Sequence, residues 1–450
     1  MIKFLRQSFC LTFLIALTSC STVTGLFTSS EEEEVEVVAS DSSDRISVLQ
    51  LQRELELSES SFDTLFFDMP EAWKNEFWPQ AGGYPNHALQ HLAFTPEEPK
   101  RVWSADIGRG SGEIPLTTQP IVVAGIIFTL DTRNKLRASS ARNGRKIWEV
   151  SVGNKEEHED VIPGGIAFSQ GTLFVTNGYK ELIAISPQRG ETKWRVNLPA
   201  PSRAAPAALD GRVFVVTLDS RLLAFDTETG QFLWDQQGFS ESTTLLGSSV
   251  PAVNSNIVVP AYSSGEVYAL RVENGSVAWT DNLSSTRRSG ALSSISDIKG
   301  LPVIDRGIVF AISFSGRMVA IDQRTGQRIW QREIGSAQTP WVSGNLVFAI
   351  TKEQKLVALD RETGEISWVV ELPAYTNPEK RDVPVAWHGP LLAGGRLMVF
   401  SSNGFAFDIE PDTGKKIRRW DTRADIHIPP IIAKETLYLL SDNGKLYAYK

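Results

Sequence analysis

The sequence predicts an all-β protein, an eight-bladed propeller of four-stranded antiparallel blades. Two recurrences predict it. A glycine is followed four residues later by tryptophan at Gly144/Trp148, Gly190/Trp194, Gly230/Trp234, Gly275/Trp279, Gly326/Trp330 and Gly364/Trp368. Upstream of every such frame but the second an aligned proline stands, at Pro120, Pro206, Pro251, Pro302 and Pro340, and again at Pro390 and Pro430. Repeats of roughly 45 residues built of short strands are the signature of propeller blades. A chain of 450 residues has room for two or three domains, but a repeat that runs through most of it argues for one closed ring.

The chain opens with a leader. Lys3 and Arg6 form a basic region, Phe9 to Leu17 an apolar core, and Leu17-Thr18-Ser19-Cys20 closes it. The core is too short to span a bilayer. The last four residues resemble the lipobox of bacterial lipoproteins, and the resemblance implies cleavage after residue 19 and a lipidated Cys20. At about 0.8 kcal/mol per buried CH₂, two or three acyl chains anchor a protein lastingly. Ser21 rather than Asp after the cysteine points, by the sorting rule of such lipoproteins, to the outer membrane.

Residues 20–77 read as an acidic, largely flexible tether, with Glu31 to Glu34 at its centre. Within it Ile46 to Leu51 fits an extended segment or, continued through Glu56, a short helix. Phe62 to Trp78 is apolar enough to pack. The propeller is expected over residues 78–450.

Each blade is a meander. In the third copy Val213 to Val216 reads as the second strand and Arg221 to Phe225 as the third. Asp226 and Gly230 then form a turn in which the carboxylate accepts backbone bonds and the glycine supplies positive φ. The prolines, which cannot donate to a ladder, suit the start of an innermost strand, and the tryptophans the outer strand. The second copy has Ile166 in place of the proline. A degenerate seventh copy has Gly414 with Arg418 at the tryptophan position and Trp420 displaced. The eighth ends at Lys450 after its third strand. Arg101 to Ala105, with Trp103 45 residues before Trp148, is the expected missing strand, closing the ring and covering two sheet edges.

Composition narrows function. The net charge of −8 makes nucleic acid an unfavourable partner. The two cysteines, Cys10 and Cys20, both precede the ring, so no thiol chemistry or disulfide is expected in it. His87 and His91 have a spacing that chelates metal on a helix, but no acidic third ligand stands in register, and packing near the rim is the other reading. No nucleophile elbow or phosphate loop occurs. We expect no catalytic residues, no metal and no cofactor.

The complete frame Ala-x-Asp-x-x-Thr-Gly-x-x-x-Trp, at Ala224, Ala320 and Ala358, resembles the repeat of the pyrroloquinoline-quinone (PQQ) type propellers. The dehydrogenases of that superfamily carry a vicinal disulfide against the quinone, which this chain lacks. A lipobox followed by eight such repeats is similar instead to the BamB family of lipoproteins of the outer-membrane β-barrel assembly (Bam) machine. That resemblance implies a non-catalytic scaffold, lipid-anchored on the periplasmic face of the outer membrane. Its partners would be the POTRA domains of BamA, other Bam complex subunits and nascent outer-membrane proteins.

In the family one rim loop reads apolar-Arg-Gly before a blade's proline and the next blade carries Asp-x-Asp before its own. Here Leu245 and Asp297 match, Leu246 stands where arginine is expected, and Lys299 replaces the second aspartate. Arg287 and Arg288 supply positive charge nearby. These six residues are the expected partner contacts. A quinoprotein dehydrogenase and a propeller that binds cell-wall glycan are the alternatives.

Overall fold

The computed structural model describes residues 66–110, 112, 114–153, 161–239, 247–284 and 297–450. Among them no helix occurs, and the strands form eight four-stranded antiparallel sheets plus one two-stranded hairpin, Tyr375–Asn377 with Asp382–Pro384. The third blade is typical. Ala207–Leu209, Arg212–Thr217, Arg221–Asp226 and Phe232–Gln237 pair in chain order from the channel outward. Its second and third strands are buried on both faces, because each sheet packs between two neighbours.

The innermost strands begin one residue after the proline in six blades, as at Pro206 before Ala207 and Pro430 before Ile431. The two exceptions have local causes. In blade 2, Ile166 carries an N–H where the others have proline, and the ladder extends over five residues, Gly165–Ser169. In blade 7, Pro390 lies inside Trp387–Ala393, and the register shifts around it between His388 and Leu391.

Closure occurs as the sequence predicts. Arg101–Asp106 pairs antiparallel with Lys445–Tyr449 and completes blade 8, so that the two termini of the ring share one sheet. Trp103 pairs with Ala448, as Trp234 pairs with Ala224 in blade 3.

The tryptophans form a belt between blades. The Trp234 ring sits 5.8 Å from Phe214 of its own blade, and its indole N–H donates to the Val272 carbonyl of the next at 3.1 Å. The same ring-to-carbonyl bond recurs from Trp148 to Pro187, Trp194 to Thr227, Trp279 to Gln323, Trp330 to Arg361 and Trp368 to Pro411. This gives the turn glycine a second purpose. Gly230 has φ +72°, and a Cβ there would also stand 2.8 Å from the Trp194 ring of the preceding blade. The spacing of glycine and tryptophan thus encodes a contact between neighbouring blades as well as a turn.

Blade 7 differs from its sequence reading. Trp420 is not displaced in space. It pairs with Ala406 and packs on Phe400, as in the other blades. The hairpin beyond it is longer by two pairs, Phe407 with Arg419 and Asp408 with Arg418. Asp408 is buried between Arg396 and Arg418, at 3.1 and 2.5 Å, and accepts the Trp420 indole N–H at 2.9 Å. The added pairs lengthen the hairpin, and the belt keeps its tryptophan.

The channel is closed at one end by the chain before the first blade. From Asn75 to Leu92 this segment bonds to the innermost strand region of every blade. Trp78 exchanges backbone bonds with Val122 of blade 1, and Phe168 of blade 2 donates to Pro79. The Gln80 side chain donates to and accepts from the Ala208 backbone of blade 3, at 2.7 and 2.9 Å, as a strand residue would. Val253 and Ile304 donate to Pro85 and Asn86, the Trp341 indole to Gln90, and Lys434 to Asn75, while Leu92 donates to Leu392. The inner edge of a blade presents unpaired backbone groups, and this plug satisfies some in each of the eight.

Candidate functional site

An antiparallel meander gives the ring two unlike faces. The turn face carries the hairpins of the Asp-x-x-Thr-Gly type and those joining first to second strands. The loop face carries the segments that join one blade to the next. Both ends of the plug are held at the turn face. Asn345, in the first hairpin of blade 6, donates to Phe66 and accepts from the Asp68 N–H, and Thr95 donates to Glu435 in the first hairpin of blade 8.

On the loop face the channel is therefore a blind cup, of about 490 Å³. Trp78, Ala81, Gly82, His87 and Leu89 of the plug form its floor, and residues just before the innermost strands form its wall. Most of the lining is apolar. The charged or ionisable groups of the wall are Arg203, Lys299, His388, His427 and Asp442.

Burial controls the charge of these groups. His87 is 6% exposed, and its Nδ1 lies 2.7 Å from the Pro302 carbonyl. Removal from water lowers its pKa to about 4, against a smaller opposing effect of that carbonyl. His388 is 8% exposed and lowered to about 3, chiefly by burial and then by the neighbouring charges of His427 and Lys299. Both rings are neutral at pH 7. Among the described residues neither nitrogen of His388, nor Nε2 of His87, has a hydrogen-bond partner. The Lys299 ammonium is itself pushed down by burial, partly offset by Asp297. His427 Nε2 faces Asp442 at 3.5 Å.

Of the expected site residues, Cys20, Leu245, Leu246, Arg287 and Arg288 lie outside the described residues. Asp297 and Lys299 lie together before blade 5, in different settings. Asp297 is 4% exposed and lines a cleft with Gly247, Ser248 and Ser249, its carbonyl accepting the Phe314 N–H at 2.9 Å. Lys299 stands on the cup wall. His87 and His91 are not on a helix. His91 Nε2 accepts the Gly395 N–H at 2.8 Å, so its Nδ1 donates to Pro70, and both nitrogens serve packing of the plug. Among the described residues no group of three or more potential metal ligands occurs.

Sequence reasoning missed Arg203, His388, His427 and Asp442. The one available signal was polarity immediately before the repeat prolines, as at His388 before Pro390 and His427 before Pro430.

Comparison with known proteins places this architecture. The chain is 24% identical to the outer membrane protein assembly factor BamB of Yersinia pestis over 357 residues, 78% of this chain and 88% of that protein. The crystal structure of BamB from Moraxella catarrhalis superposes with a TM-score of 0.65 at 21% identity, covering 78% of this chain and 100% of that one. The quinohemoprotein alcohol dehydrogenase ADHIIG of Pseudomonas putida HK5 also gives a TM-score of 0.65, at 13% identity, over 85% of this chain and 83% of that one. At such identities the two structures establish the shared propeller fold alone. The family model described as outer membrane protein assembly factor BamB matches residues 132–370, more than half of the sequence, and the chain belongs to that family.

Proposed function

We propose that the protein is a non-catalytic scaffold of the outer-membrane β-barrel assembly machine, which holds BamA through its POTRA domains and supports insertion of nascent barrels. The observation that carries the proposal is the family match over residues 132–370. Cys20 in its lipobox context supports a lipid anchor at the periplasmic face of the outer membrane, with residues 1–19 removed as leader. The acidic stretch after Cys20 is then a tether. It reaches a ring whose described residues begin with Phe66, at the turn face.

The loop face is the proposed partner face. Gly247 and Asp297, which border the segments with Leu245, Leu246, Arg287 and Arg288, line one cleft there. Since Asp297 is buried, its part in recognition is to hold the loop, and Arg287 and Arg288 are the proposed charged contacts. Hydrogen bonding from exposed strand edges to nascent barrel strands would be a further contribution. The absence of cysteine after Cys20 supports a scaffold over a quinoprotein dehydrogenase.

The test is a pull-down from detergent-solubilised membranes with the tagged full-length protein. BamA should co-elute with the wild type and fall strongly in an Arg287→Glu/Arg288→Glu variant of unchanged melting temperature. Absence of BamA from the wild-type eluate would overturn the reading.

A further inference from the structure

The plug turns the propeller channel from a pore into a pocket. Its volume lies in the range of small-molecule sites, roughly 300–1,000 Å³, and its lining follows their pattern, an apolar body with a few convergent polar groups. The ring has no need of such a space for stability, since the blades pack against one another and the plug already bonds to all eight inner strand regions.

The polar groups indicate the ligand. His388 is enclosed, lines the cup, and among the described residues leaves both ring nitrogens without a partner, a costly state for a buried donor and acceptor. Lys299 lies close enough to His388 to disfavour its protonation, and Arg203 adds a second permanent cation from the segment before blade 3. The acid of the cup, Asp442, faces His427. An acceptor that carries negative charge would meet the Lys299 ammonium on the wall that His388 also lines. Beyond that point a ligand meets the apolar atoms of Trp78, Leu89 and Leu301 on or beside the floor.

We propose that the cup binds a small aliphatic carboxylate, with its head group at Lys299 and His388 and its alkyl chain toward the plug. A cation is disfavoured by Lys299 and Arg203, and a neutral alkane leaves His388 unsatisfied. This inference stands independently of the scaffold reading, because it needs neither BamA nor a membrane.

The probes are octanoate, octanol and octylamine, titrated into the full-length protein by calorimetry. Also, 8-bromooctanoate should quench tryptophan fluorescence, because Trp78 and Trp341 line the cup. The expected result is saturable octanoate binding with one site, on the order of tenfold or more tighter than octanol, and no binding of octylamine. The bromine quenching should shrink in Trp78→Phe. In Lys299→Met the preference for octanoate over octanol should disappear, while octanol affinity and melting temperature stay unchanged. Octanol binding as tightly as octanoate, or a preference that survives Lys299→Met, would overturn the proposal. So would the absence of saturable quenching by the bromo compound.

Discussion

The tryptophan belt and the wall of the cup are both assembled from one contribution per blade, yet they obey opposite rules. In the belt six blades supply the same contact, a ring on its own second strand, an N–H to the next blade and a glycine beneath, and blade 7 departs in giving its indole N–H to its own Asp408. On the cup wall hardly any position repeats. Blade 3 is preceded by Arg203, blade 5 by Lys299 and blade 8 by His427, while His388 lies in the first strand of blade 7. A closed ring tolerates little variation where blades meet, because each misfit is passed to two neighbours. The channel wall has no such neighbour relation, so its side chains are free to specialise.

Removing closure should have the largest effect. Truncation after Leu440 deletes Lys445–Tyr449 and leaves Arg101–Asp106 without a partner. The expected outcome is cooperative loss of the ring, read by circular dichroism and protease digestion. A soluble, protease-resistant product would show that the belt holds seven blades without closure.

The belt itself is tested within one blade. Gly230→Ala meets both positive φ and the Trp194 ring, whereas Gly211→Ala, at φ +79°, meets nothing within 4 Å. Thermal or urea unfolding should give about 2–4 kcal/mol for the first and about 1 kcal/mol for the second. Equal losses would mean that the glycine serves the turn alone.

Acidification should weaken the cup's surroundings before it touches the belt. For His87 and His388 the folded pKa lies below the unfolded value near 6.5, so the unfolded chain binds protons first as pH falls. Stability is full above about pH 6.5 and declines toward pH 4 and 3, the folded values. Between pH 7 and 5 each ring should contribute a loss of roughly 2 kcal/mol. A His87→Phe/His388→Phe variant should flatten that slope in melting curves; an unchanged slope would assign it to other groups. The smallest effect is expected at Lys299→Met, within about 0.5 kcal/mol of wild type, since this side chain serves the cup and not the ring. A large loss there would erase the distinction between wall and belt.

The same distinction explains what could be read in advance. Periodic positions were legible: Arg101 to Ala105 as the strand that completes the last blade, the prolines before most innermost strands, and the second and third strands of the third copy. Trp420 stands outside the frame in sequence but in register in space, because its hairpin gains two pairs, Phe407 with Arg419 and Asp408 with Arg418. The plug was illegible for a physical reason. Its bonds to the ring are largely backbone ones, and Gln80, which uses its side chain, imitates backbone. Such contacts leave no pattern of residue types. The cup residues lie outside the repeat, where a histidine or an arginine has no register to be compared with.

Ring closure also imposes an order in time. Arg101–Asp106 and the plug before it are synthesised ahead of every blade, yet their partners include the last strand of the chain, Lys445–Tyr449. Until that strand emerges, an unpaired edge and the aromatic Trp78 wait without their final cover. Contacts between such distant parts of a chain form slowly, and exposed edges in the interval favour aggregation. The earliest part of the ring is thus the last to reach its place, and the hazardous interval ends only when the final strand has been made.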